Sequence, residues 1–246
     1  MKLPQLLSLA ALLLLGLPAF RPATPVATAV SPSSFAAGRE VREVAPFTEL
    51  SLSTSSEVEV RQGATQRVEV EALAEDLAEL ETVVKNGRLS IQAKDHRGFN
   101  WRGFKGKVKV YVTMPQVNAL LLSGSGKIRA LDMVRTERLK LAVSGSGSLE
   151  APVQAKQLTS SVSGSGSMRI SGAAPSLAVH ISGSGSIQAA DLRSDAAEVH
   201  ISGSGSCQIQ ASQTLDARIA GSGNVRYAGS PRITQRISGS GRVVRS

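Results

Sequence analysis

A Ser-Gly-Ser-Gly unit, or a one-residue variant of it, recurs seven times between residues 123 and 241, and no other feature of the chain limits its fold as strongly. The first glycines of the units are Gly124, Gly145, Gly164, Gly183, Gly203, Gly221 and Gly239, a period of about 19 residues. A period of this size predicts a solenoid, in which each repeat is one coil that contacts only its neighbours.

Alignment on those glycines turns the chain into columns. Two positions before the glycine stand Leu122, Val143, Val162, Ile181, Ile201, Ile219 and Ile237, and four positions after it stand Ile128, Leu149, Met168, Ile187, Cys207, Val225 and Val243. The adjoining positions vary and are mostly polar, among them His180, His200, Arg218 and Arg236. Apolar residues alternating with polar ones mark a strand buried on one face. Each repeat is therefore expected to hold a short strand, a glycine corner, a second short strand and a return of about ten residues, such as Ala189 to Glu198. The fold class is all-β, a single-stranded parallel β-helix, and the general crossover preference predicts right-handed coils. At ~4.8 Å per coil, seven coils rise by roughly 34 Å. Corners repeated on every coil need backbone angles open to glycine, and the alternate serines are expected to ladder their hydroxyls onto backbone groups left unpaired there.

The remaining composition agrees with a narrow core. Aromatic residues make up 3% of the chain, so small and β-branched side chains must fill the interior. The single cysteine, Cys207, excludes an intramolecular disulfide, and its inward column assigns it to the core. Lys2 followed by the apolar run Leu6 to Leu17 reads as a secretory signal peptide, with cleavage after Ala19 or Ala29, and the run is too short to span a bilayer. Residues 1–29 are then signal and leader, 30–40 a flexible linker, and no transmembrane segment is expected in the mature chain. The net charge of +9 favours acidic partners and solubility without choosing between them.

Residues 41–118 lack the repeat but alternate similarly at Val58 and Val60, Val68 and Val70, and Val108, Val110 and Val112. They are expected to form irregular first coils that continue into the regular solenoid of 119–246. Asn86-Gly87 predicts a tight hairpin turn, and the acidic stretch 71–84 reads as a connector, with a turn of helix as the alternative.

Several ordered landmarks go beyond the repeat. "REVAPFTEL" at 42–50, with Phe47 in it, "VEVRQG" at 58–63, "VVKNGRLSI" at 83–91 and "VKVYVTMP" at 108–115 precede the serial SGSG units. In this order they resemble the bacterial putative auto-transporter adhesin, head GIN domain family, over about 41–246. The resemblance implies an exported β-solenoid with an adhesive role and brings no catalytic residues. Export by the general secretory route, to the periplasm, outer surface or extracellular space, is expected in place of autotransport.

Two segments are candidates for ligand binding. Arg97, Phe99, Trp101, Arg102, Phe104 and Lys105 interleave flat rings with cations, a pattern that can stack on sugars or hold acidic polymers, or simply cover the first coil. Arg218, Arg226, Arg236 and Arg242 belong to a C-terminal run with no acid after Asp216, a candidate cationic surface for lipopolysaccharide, an anionic glycan or an envelope protein, or a solvated edge. His180 and His200 share a column, with no third ligand to make a metal site. Phosphate cradling is disfavoured because each glycine corner leads into a strand, and calcium-binding corners would need aspartate there. No cofactor, metal or nucleic acid is expected.

An enzyme would need paired acids on one wall, and the best cluster is Asp191, Asp195 and Glu198 in one return. The leading expectation is an exported non-catalytic structural or binding module. The alternatives are a carbohydrate-active solenoid enzyme and an envelope signalling accessory that binds a protein partner. Open solenoid ends leave a homo-oligomer available.

Overall fold

The computed structural model of the protein describes residues 38–94 and 103–246. Chain order opens with strands β1 (Gly38–Val41), β2 (Glu49–Leu52), β3 (Glu57–Gln62) and β4 (Arg67–Ala72), followed by helix α1 (Ala74–Glu79). Next come β5 (Leu80–Lys85), β6 (Arg88–Ala93), β7 (Lys109–Met114), β8 (Ala119–Gly124) and β9 (Lys127–Ala130). The repeats supply β10 (Val134–Gly145), β11 (Ser148–Gly164), β12 (Ser167–Ala173), β13 (Ser176–Gly183) and β14 (Ser186–Gly203). The chain continues with β15 (Ser206–Gly221), β16 (Asn224–Ala228), β17 (Arg232–Ser238) and β18 (Arg242–Arg245).

The coils stack as a parallel β-solenoid, glycine on glycine. Gly124 pairs with Gly145, Gly145 with Gly164, Gly164 with Gly183, Gly183 with Gly203, and Gly203 with Gly221. One parallel stack precedes the corners (β8, β10, β11, β13, β14, β15, β17). A second follows them (β9, β11, β12, β14, β15, β16, β18). The expected loop-like returns are largely strand: β14 runs unbroken from Ser186 through Ala189–Glu198 to Gly203, so only the glycine corners interrupt it. Extended returns pair their backbone groups with the next coil, which satisfies donors and acceptors that a loop would leave to water.

The two glycines of each corner have different jobs. The first lies at positive φ, from 101° at Gly164 to 123° at Gly221. The second is limited by space: a Cβ on Gly205 would come within 2.4 Å of Ile181 Cγ2 and 2.9 Å of the Gly185 carbonyl. Corner hydrogen bonding is also unlike the expectation. Backbone amides donate to glycine carbonyls one coil back, as in Ser184 N to Gly164 O (2.9 Å) and Ser186 N to Gly166 O (3.0 Å). The hydroxyls of Ser123, Ser144, Ser163, Ser182 and Ser202 face outward, and among the described residues none of them bonds within the protein.

The N-terminal part continues the stack out of chain order. β2 lies parallel between β6 and β8, and β3 lies parallel between β7 and β9. Two regular tiers therefore extend the stack, but the tier that comes first in sequence is inserted between the later two. Beyond β6 and β7 the direction reverses: β5 is antiparallel to β6, and β4 is antiparallel to both β7 and β1. The reversal at β5–β6 uses Asn86 and Gly87, both at positive φ (51° and 72°). Within the acidic stretch the alternative reading holds: residues 74–79 form helix α1, which leads straight into β5. Its Asp76, buried, accepts the backbone N–H groups of Lys105 (2.9 Å) and Gly106 (2.8 Å), which fastens the helix over the tier edge. These strands and the helix form a cap that shields the first coil.

The opposite end is open. Ile237 is 39% exposed and Ile233 37% exposed, with no described coil over them. In the inward columns of this last coil Gln235 follows Ala217 and Arg245 follows Tyr227. Polar residues at inward positions of a terminal rung blunt an edge against pairing. Between the two ends, one apolar cluster runs from Phe47 to Val225. Ser160 is buried within it with no partner for its hydroxyl, and nothing in the structure explains that residue.

Cys207 sits in this cluster between Ile187 and Val225. Burial pushes its thiol up to about 12. At pH 8 almost none is thiolate, the reactive form, so a thiol reagent is expected to label Cys207 only as fast as the coils open. Labelling within seconds in the native protein, followed by absorbance, would contradict this placement.

Candidate functional site

A hollow lies on the outer face of the strands that precede the corners. Parallel register stacks Ser161, His180, His200, Arg218 and Arg236 in one outward column. A shallow groove of about 570 Å³ follows this column, bordered on the corner side by Ser163, Ser182, Ser202, Ala220 and Ser238. The alternation that buries Ile181, Ile201 and Ile219 obliges their neighbours to point outward.

The rings of His180 and His200 meet edge to face, centroids 5.3 Å apart and planes 70° apart. On the far side of the column, Glu198 pairs with Asp216 in register. Asp216 Oδ2 accepts from Arg218 Nη2 at 2.9 Å, Arg218 Nη1 lies 3.1 Å from His200 Nε2, and His200 Nε2 lies 3.0 Å from Glu198 Oε1. Donors and acceptors thus meet across two adjacent coils, with His200 Nε2 accepting from Arg218 or, when it carries the proton, donating to Glu198. Arg218 Nε and Asp216 Oδ1 still have no partner.

The expected cationic surface is divided. Arg218 and Arg236 stand in the groove column, whereas Arg226 and Arg242 lie past the corner, around a separate hollow of about 510 Å³ with Gln208 and Asn224. All four are on the last coils, and only Arg218 has acidic partners there. The expected acid cluster is also divided. Glu198 stands beside the groove, paired with His200 and Arg218 of its column, while Asp195 accepts from Ser212 Oγ at 2.9 Å in the return. The alignment on corner glycines could have shown this, since Glu198 and Asp216 both lie five residues before a first glycine.

Of the aromatic and basic candidates, Arg97, Phe99, Trp101 and Arg102 fall outside the described residues. Phe104 packs against the apolar cluster, and Lys105 pairs through its ammonium with Glu75 of α1. Among the described residues no group of three or more His, Cys, Asp or Glu side chains is placed to hold a metal ion. No described helix is long and apolar enough to cross a membrane.

Residues 46–231 match the model of one family, "Putative auto-transporter adhesin, head GIN domain". The chain belongs to this family. Solved structures of similar shape include a putative adhesin from Bacteroides fragilis NCTC 9343, 24% identical, with a TM-score of 0.77 over 85% of this chain and 95% of that one. A putative lipid binding protein from Parabacteroides distasonis ATCC 8503 is 26% identical, with a TM-score of 0.72 over 86% of this chain and 97% of that one. A putative adhesin from Parabacteroides merdae ATCC 43184 is 19% identical, with a TM-score of 0.66 over 86% and 96%. No curated protein matches the chain. A head GIN domain protein of this kind is consistent with a non-catalytic binding module.

Proposed function

We propose that this head GIN domain protein is an exported, non-catalytic binding module of the bacterial cell envelope, adhesin-like in use, whose ligand is an anionic glycan or lipopolysaccharide. The observation that carries the reading is the arginine-rich C-terminal end. Arg226, Arg232, Arg236 and Arg242 are exposed there, with no acid after Asp216 in the sequence. A concentration of one charge on a rigid stack attracts the opposite charge and weakens with salt. The family's adhesin label supports the reading, as does the lipid-binding description of the Parabacteroides distasonis structure.

The test is surface binding of the exported chain to lipopolysaccharide and to anionic and neutral glycans at low and moderate salt. Saturable binding to the anionic ligands is expected, lost in part at moderate salt. The Arg236→Ala/Arg242→Ala variant is expected to bind about tenfold more weakly, the size of one or two lost charge-assisted contacts. Absence of binding to every ligand would replace this reading with a scaffold or protein-partner role.

A further inference from the structure

We infer that the groove over His180, His200, Arg218 and Arg236 is a glycan site, taking a linear polyhydroxylated segment that lies along the solenoid axis. The inference rests on the binding-module reading and names the place and the chemistry of contact. It starts from the sign of the charges. Glu198 and Asp216 stand on the same wall as Arg218 and Arg236, in register on adjacent coils. A simple anion would meet the two carboxylates, and a simple cation would meet the guanidinium groups. A hydroxyl both donates and accepts, so a ligand carrying many hydroxyls can satisfy the two kinds of group at once.

Three further features fit a sugar chain. The five stacked positions from Ser161 to Arg236 extend over about 19 Å at the spacing of neighbouring strands, a linear track with no wall across it. Ser163, Ser182, Ser202 and Ser238 line one side with hydroxyls that have no partner among the described residues. The imidazole rings of His180 and His200 add flat carbon surface at the centre. The network among Glu198, His200, Asp216 and Arg218 is already formed, so little ordering cost remains on binding. It is also short of one bond to a donor, Arg218 Nε, and one to an acceptor, Asp216 Oδ1, which a slight re-seating of the half-exposed Arg218 around ligand hydroxyls would provide. Arg236, at the open end of the track and without an acidic partner, is the position suited to an acidic substituent on the chain.

The test is titration calorimetry of the exported chain with oligosaccharides of a uronic-acid polymer, with neutral oligosaccharides of equal length, and with inorganic phosphate. Saturable binding of an oligosaccharide is expected, and phosphate at equal ionic strength is expected not to displace it. His180→Ala/His200→Ala and, separately, Glu198→Gln are expected to weaken binding about tenfold or more, while Arg169→Ala, at an exposed position past the corner, leaves it within about twofold. All these side chains point outward, and thermal melts matching the parent protein establish that each variant is folded. Wall variants that bind as the parent does would overturn the site and leave the binding-module reading standing. Phosphate binding with no oligosaccharide binding would overturn the polyhydroxylated ligand. Silence in every arm would remove both proposals together.

Discussion

Gly203→Ala is expected to lose roughly 2–6 kcal/mol of stability, enough to unfold a marginal coil. Gly203 has φ of +117°, well beyond the small left-handed region that a non-glycine residue tolerates. A Cβ there would also stand 2.5 Å from the Gly183 carbonyl and 3.2 Å from its Cα, backbone atoms that cannot move aside. The neighbouring coil is pinned in turn by the next, so relaxation would have to spread along the stack. Gly87→Asn is the control: its φ is +72° and a Cβ would meet nothing within 4 Å. Asparagine tolerates that region, so the control is expected to cost less than about 1 kcal/mol. Urea titrations of both variants measure the difference, and equal midpoints would show that the corner is not held by backbone contact.

Val199→Asp is expected to cost roughly 4 kcal/mol or more, through an unpaired charge in a dry core. Val199 is fully buried between Val179 and Ala217 in one inward column. The same column ends at Gln235, exposed on the last coil, where a polar residue meets water. Position along the stack therefore decides the cost: Gln235→Asp should change stability by less than about 0.5 kcal/mol. Coils couple mainly to their neighbours, so Val199→Asp should also broaden the transition or split it in two. A sharp single transition at the parent's midpoint would contradict the packing described.

Much of the solenoid was legible because side-chain alternation and glycine spacing are local signals. The columns at Ile181 and Ile187 follow from counting, and so does the turn at Asn86-Gly87. The order of the N-terminal tiers was not legible, since Val58 and Val68 alternate alike although β3 pairs in parallel and β4 in antiparallel fashion. Nor was the purpose of the second glycine, because the atom that excludes a Cβ at Gly205 belongs to Ile181, 24 residues earlier. Helix α1 was only the second reading of its stretch for a related reason. Its six residues lack a side-chain cap and hold position through Asp76, whose partners at 105 and 106 come from a distant segment. In the groove, the stacked histidines could be read from the repeat. The carboxylates beside them required attention to the column five residues before each corner, where Lys140, Thr159 and Ala178 show no common chemistry.

The proposed glycan wall is tested most directly by mapping where a ligand sits. Amide chemical shifts of the isotope-labelled chain would be followed while a uronic-acid oligosaccharide is added to saturation. Perturbations are expected to concentrate in 178–182, 198–202, 216–220 and 234–238, stepping from coil to coil along one face. Perturbations confined to 103–107, or to Arg226 and Arg242 past the corner, would contradict it and move the site to the cap or to the far side of the last coils.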